Sequence, residues 1–308
     1  MTHPIKGIHH VAIAVTDVPS ATHFYVQAAQ LSPWPAAQGL ILPELGNMWR
    51  LANAGIRFLS ADPSGQQQKR RAVSEAGITH MCLQTTDPAV IHHAYAKAGG
   101  SFHSDLIDLG TGFLYCYARD LEKNVTEIEG VAPVWADSKP WLAHVNLATS
   151  DFQRLLGFYT ALLGTTAIRS PRLKDDPRLD AIADLSNVEL RMGWVPAGNM
   201  QIEVIQYYNP PTIAHTGRRD PGATGYRYIA LEVAHLTKAV EHLVGCGGSL
   251  ACTDPAGLHA MCRDPDGNEL LLLQPDAQSQ PHASIADLDD PNITQRFATA
   301  REAYLNTP

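Results

Sequence analysis

Three of the 14 histidines among the 308 residues stand at matching places in repeated strand-like segments. His10 lies in "GIHHVAIAV", His80 in "GITHMCLQTTD" and His144 in "WLAHVNLATSD". Side chains alternate between the faces of a strand. His10 then shares a face with Ala12 and Ala14, His80 with Cys82 and Gln84, and His144 with Asn146 and Ala148. The opposite column, such as Val11, Ile13 and Val15, is branched and apolar. Small or polar neighbours beside a histidine describe a cavity wall, and imidazole is the group that binds metals and moves protons near neutral pH. The same alternation points His9 away from His10. A fourth segment, "GYRYIALEVAH", has Tyr228 in the histidine column. Later runs add carboxylates: "NVTEIEG" and "MQIEVIQ" put Glu127 and Glu203 at equivalent places, where "GIRFLSAD" has Arg57 and "GNELLLLQ" has Leu271.

The elements that must position these side chains are also repeated. Each of the four segments is followed by residues with helical spacing. Asp17, Asp87 and Asp151 stand as N-caps, and Gly99, Gly164 and Gly247 as C-terminal stops. Short apolar runs broken by turn residues follow, predicting three more strands per unit. "DPDGN" (264–268) suits a hairpin. Its counterpart "DLEKN" (120–124) has Leu121 for proline and Lys123 for glycine, which predicts a less regular turn.

The fold class is therefore α+β: four βαβββ modules paired into two domains, each an open, curved, mostly antiparallel sheet enclosing a cavity. A boundary in "GVAPVWADSKP" (130–140) gives an N-terminal domain at 1–133, a C-terminal domain at 140–278 and a tail at 279–308 with a surface helix. The polar stretches 62–77 and 209–225 read as linkers, the second carrying Arg218 and Arg219. The insertion 169–187 reads as a helix or a lid.

A formal charge of −8 argues against nucleic acid and against an anionic membrane surface. No apolar run approaches a membrane span and no secretory signal opens the sequence. Five scattered cysteines without a CxxC pair read as reduced thiols. The expectation is a cytoplasmic protein acting on a small molecule.

Together, "HHVAIAVTD" and "HVNLATSD" before helices, with "NVTEIEG" and "DPDGNELLL" closing units, resemble the vicinal oxygen chelate superfamily over about residues 5–275. That superfamily includes glyoxalase I, methylmalonyl-CoA epimerase and the extradiol dioxygenases. The resemblance implies one divalent metal ion held in the cavity of a paired module by residues of the first and last strands. In the first domain those positions are His10, Arg57, His80 and Glu127. His10, His80 and Glu127 form a ligand set suited to Fe, Mn, Co or Zn. Arg57, which cannot ligate, either holds a substrate carboxylate beside the metal or forms a salt bridge to Glu127 in a site without metal. The second domain offers His144 and Glu203 with Tyr228 and Leu271, and reads as a degenerate copy. Modules of this family also pair in swapped ways, within one chain or across a homodimer.

The first reading is an epimerase, isomerase or lyase acting through a metal-stabilised enolate, with Glu44 or Glu127 as base and Tyr115, Tyr117 and His103 lining the cavity. The second is an Fe(II) extradiol dioxygenase cleaving a catechol, for which Tyr117 stands ten positions before Glu127, although the closing signature lacks its histidine, proline and glycine. The third is a metal-free binding or resistance protein using Trp34, Trp49 and Phe113.

Overall fold

The structure is a computed structural model that describes residues 3–38, 47–61, 71–131, 139–214, 223–255, 257–276, 278 and 280–305, with side chains described up to 299. Unit one comprises β1 (Ile5–Val15), α1 (Val18–Ala29), β2 (Ser32–Pro33), β3 (Met48–Arg50) and β4 (Gly55–Ser60). Unit two has β5 (Gly77–Thr85), α2 (Pro88–Lys97), β6 (Ser101–Phe102), β7 (Ile107–Asp108), β8 (Leu114–Arg119) and β9 (Val125–Gly130). Unit three runs through β10 (Trp141–Ala148), α3 (Phe152–Leu163), β11 (Ile168–Arg169), α4 (Pro177–Ala183), β12 (Glu189–Ala197) and β13 (Met200–Asn209). Unit four contains β14 (Gly225–Val233), α5 (Leu236–Gly245), β15 (Ser249–Thr253), β16 (His259–Arg263) and β17 (Glu269–Leu273), and α6 (Ile293–Leu305) closes the chain. The caps are the expected ones: Asp17, Asp87 and Asp151 accept from the backbone N–H groups of Ser20, Val90 and Arg154 at 3.0–3.1 Å. The insertion supplies α4.

Two open sheets result, and they do not follow the expected pairing of unit one with two and three with four. One sheet runs β15-β16-β17-β14-β1-β4-β3-β2, joining unit four to unit one; the other runs β11-β12-β13-β10-β5-β9-β8-β6, joining unit three to unit two. The seams are the antiparallel pairs β1 with β14 and β10 with β5. Consecutive units are tied instead by their convex sides. Tyr25 of α1 donates to Asp120 in the hairpin of unit two at 3.0 Å, and Tyr159 of α3 repeats this to Asp264 of unit four at 2.9 Å. The proposed linker at 132–138 and Arg218 and Arg219 lie outside the described residues.

A two-fold clasp joins units one and three. Asn53, in the β3–β4 turn, donates to Leu142 O at 2.7 Å and accepts from Leu142 N at 3.0 Å. Asn199, in the β12–β13 turn, accepts from Ile8 N at 2.9 Å and donates to Ile8 O at 2.8 Å. Both asparagines are buried, so water does not replace these bonds.

Each seam strand carries one extra residue immediately before the histidine column. The register steps from Ile8 to His10, from Ile78 to His80, from Leu142 to His144 and from Tyr226 to Tyr228, leaving His9, Thr79, Ala143 and Arg227 as bulge residues. A bulge breaks the alternation of faces. His9 therefore does not point away from His10: their Nδ1 atoms lie 2.8 Å apart, and His9 stacks on Trp34 with ring centroids 4.6 Å apart.

Two further expectations change. The "DLEKN" turn is as regular as "DPDGN": Asp120 N bonds Asn124 O at 3.0 Å, as Asp264 N bonds Asn268 O at 3.0 Å, and Lys123 takes φ 71° where Gly267 takes 87°. The tail is not merely a surface helix. Ala283, Ile285 and Leu288 pack on Ala12, Trp34, Tyr228 and Leu271, filling the hollow of the first sheet, while Ile293 and Phe297 pack on Phe113 and Trp141. Among the described residues no helix is long and apolar enough to cross a membrane.

Candidate metal centre

At the β5–β10 seam, Asn146 lies opposite His80 and His144 opposite Cys82. The flanking strands β9 and β13 run parallel to β5 and β10 and add Glu127 and Glu203. The four side chains meet: His144 Nε2 lies 2.9 Å from Glu127 Oε2 and 3.2 Å from Glu203 Oε2, and His80 Nε2 lies 3.4 and 3.6 Å from the same two atoms. One donor atom from each falls within 4.8 Å of all the others. All four residues are buried.

These residues form a group that can hold a metal ion. Two imidazoles and two carboxylates are donors for a borderline or hard divalent cation. His80 Nε2 is buried without a hydrogen-bond partner, and a bound cation would satisfy it. Without a cation, protons supply the positive charge. Burial opposes a charged imidazole at His144, yet Cys82 beside it and the carboxylates of Glu203 and Glu127 prevail and hold its pKa well above the ordinary value; at His80 the two carboxylates raise it against the same burial. Burial likewise works against ionised Glu127 and Glu203, but their histidine partners keep both carboxyls below the usual range.

Two rows of side chains extend the site along the same face. Cys82 Sγ donates to Glu129 Oε2 at 3.6 Å, and Gln84 Nε2 donates to the same oxygen at 2.6 Å. Burial pushes the Cys82 thiol up, so it is a neutral donor and not a nucleophile. Tyr117 packs at a tilt against His80, ring centroids 4.8 Å apart and planes at 45°, and burial holds its hydroxyl well above the ordinary phenol range. Tyr115 pairs with Glu129 across β8 and β9, and its hydroxyl lies 3.2 Å from Thr111 Oγ1.

His80, Glu127, Tyr115 and Tyr117 thus share one sheet with His144 and Glu203, whereas His10 and Arg57 belong to the other. The reason is the swapped pairing, which brings together ligand columns assigned from sequence to separate domains. His10 Nε2 meets Tyr228 Oη at 3.3 Å, with Arg57 and Leu271 at the remaining two equivalent positions. Burial, reinforced by His9 and Arg57, keeps His10 well below its ordinary pKa, and hence neutral. His103 is not at the cluster: its Nδ1 donates to Ile182 O at 3.0 Å and its Nε2 accepts from Arg119 Nε at 2.8 Å. Glu44 lies outside the described residues. Trp34 belongs to the first hollow, Trp49 packs against the main core and Phe113 lies at the α6 contact, so among the described residues the three fall in different apolar clusters. Asn146 shares the face of His144, as strand alternation predicts, whereas no sequence signal marks Thr79, which only the bulge brings toward the cluster.

Residues 141–272 match the family model for the Glyoxalase/Bleomycin resistance protein/Dioxygenase superfamily. Among solved structures, glyoxalase I from Zea mays aligns with TM-score 0.62 and 16% identity over 98% of this chain and 97% of that one. A protein from Bacillus subtilis subsp. subtilis str. 168, assigned as a dioxygenase, aligns with TM-score 0.57 and 13% identity over 98% and 97%. At these identities the likeness is one of fold. Comparison with curated proteins gives no match. The stretch 141–272 belongs to the superfamily that the sequence motifs resemble, and units one and two repeat its fold.

Proposed function

We propose that this protein is a divalent-metal-dependent enzyme of the glyoxalase type, an isomerase, epimerase or lyase acting on a small molecule with neighbouring oxygens. The observation that carries the reading is the set of two histidines and two glutamates at the β5–β10 seam. His80, Glu127, His144 and Glu203 would hold the cation, whose chemistry is Lewis-acid polarisation of a substrate carbonyl.

The chain's own part is the proton. Glu203 is pinned by Asn146 Nδ2 at 3.0 Å. Glu127 has only the two imidazoles as side-chain partners among the described residues. Its contacts with the imidazoles run through Oε2, so Glu127 is the carboxylate whose second oxygen would take the proton next to the substrate carbonyl and return it. Tyr117 covers the His80 side of the cluster and keeps water away from it.

The second carboxylate favours this reading over the extradiol dioxygenase, which uses two histidines and one carboxylate. The test uses protein stripped of metal and reloaded with Zn, Mn, Co or Fe(II), incubated in deuterium oxide with α-hydroxyketones, 2-oxo acids and thiol hemiacetals. Metal-dependent deuterium incorporation without oxygen uptake supports the proposal. Oxygen consumption with a catechol, or no reaction with any metal alongside tight binding of an apolar ligand, contradicts it.

A further inference from the structure

Behind the cluster, three hydrogen bonds join two of its members. Thr79 Oγ1 lies 3.0 Å from His80 Nδ1 and 2.5 Å from Asn146 Oδ1, and Asn146 Nδ2 lies 3.0 Å from Glu203 Oε2. Thr79 reaches both because it is the extra residue of the β5 bulge, which turns its hydroxyl toward the ring of the next residue. Thr79 and Asn146 are both buried, so water does not complete or replace the chain of bonds.

The chemistry of the groups fixes every direction. An ionised carboxylate only accepts, so the amide NH2 of Asn146 faces Glu203 and its carbonyl oxygen faces Thr79. The hydroxyl of Thr79 has one hydrogen, which goes to that oxygen. Thr79 Oγ1 then has only lone pairs for His80, so His80 Nδ1 is the donor. A neutral imidazole with its hydrogen on Nδ1 has its lone pair on Nε2, the atom that faces the cluster without a hydrogen-bond partner.

We infer that Thr79 and Asn146 are positioning residues: their relay holds neutral His80 in its Nδ1–H tautomer, aims Glu203, and so sets the metal affinity of the centre. The inference rests on the reading of the cluster as a metal centre. The first sheet supplies an internal contrast. At the equivalent places it has Arg227 for Thr79 and Ala12 for Asn146, which cannot pass such a relay, and there the ligand columns hold Arg57, Tyr228 and Leu271 as well.

The experiment compares wild type with Thr79→Val, Thr79→Ser and Asn146→Ala. Zinc(II) affinity is read by chelator competition, and the His80 ring by nitrogen-15 NMR of zinc-free protein at a pH where the imidazole is neutral. The inference expects an Nδ1–H signature in wild type, a loss of about 10–100-fold in zinc affinity for Thr79→Val and Asn146→Ala, and recovery of both affinity and signature in Thr79→Ser. An Nε2–H signature in wild type overturns it, as do a Thr79→Val protein with unchanged affinity and spectrum and a Thr79→Ser protein without recovery. Should Thr79→Val fail to fold, the wild-type spectrum and the Thr79→Ser affinity decide. Wild type that binds no zinc would sink the metal reading, while its NMR spectrum would still decide the tautomer.

Discussion

The two glutamates of the cluster are chemically alike but differently held, and this difference is testable. Glu203 is anchored by Asn146, whereas Glu127 touches only the imidazoles among the described side chains. Glu127→Gln is expected to lower deuterium exchange at least about 100-fold, within the range of a lost general base, while Glu203→Gln mainly weakens metal retention. Exchange kinetics and metal content of the two variants check this. Protons and cation also compete for the same histidines. Their pKa values are raised above the ordinary 6.5, so the metal-free protein holds those protons into the neutral range and metal binding must release them. Affinity should therefore rise with pH through and above 6.5, and titration calorimetry in buffers of different ionisation enthalpy should show proton release. At this scale much was legible in the sequence. The columns of His80, His144, Glu127 and Glu203 follow from strand alternation, because that periodicity is local. The orientation of His9 is not legible in the same way, because a bulge adds one residue that strand alternation does not reveal.

Elements were legible where a turn or cap leaves a chemical mark. The three aspartate caps and the "DPDGN" hairpin are set by side chains that bond their own backbone, so they fold as they read. The "DLEKN" turn shows the converse. Its geometry is imposed by the Asp120 side chain, which accepts from Glu122 N, Asn124 N and Asn124 Nδ2 at 2.8–2.9 Å and draws Lys123 into left-handed backbone. A side chain at that φ costs roughly 1–2 kcal/mol. Lys123→Gly is accordingly expected to raise stability by about 0.5–1 kcal/mol, after the added entropy of the unfolded chain is subtracted. Thermal and urea unfolding of the exposed-loop variant give the measurement; a loss of stability would contradict the strain.

Which units pair is decided at the scale of the whole molecule. Each unit presents the same first-strand edge, so nothing local says which two edges meet. That choice depends on contacts between units far apart in the chain, above all the Asn53 and Asn199 clasp and the tyrosine bonds from α1 and α3. Asn53→Ala would leave both Leu142 backbone groups without these buried partners and is expected to cost about 2–4 kcal/mol, measured as a shift of the urea midpoint at constant slope. The swapped pairing also sets the centre's composition, since His80 and Glu127 come from unit two and His144 and Glu203 from unit three. The direct test is zinc titration of metal-stripped wild type beside His144→Ala and His10→Ala, with stoichiometry and affinity read together. One site per chain, weakened at least about 100-fold in His144→Ala and retained in His10→Ala, is the predicted result. Retention in His144→Ala with loss in His10→Ala would place the ion in the other sheet and contradict it.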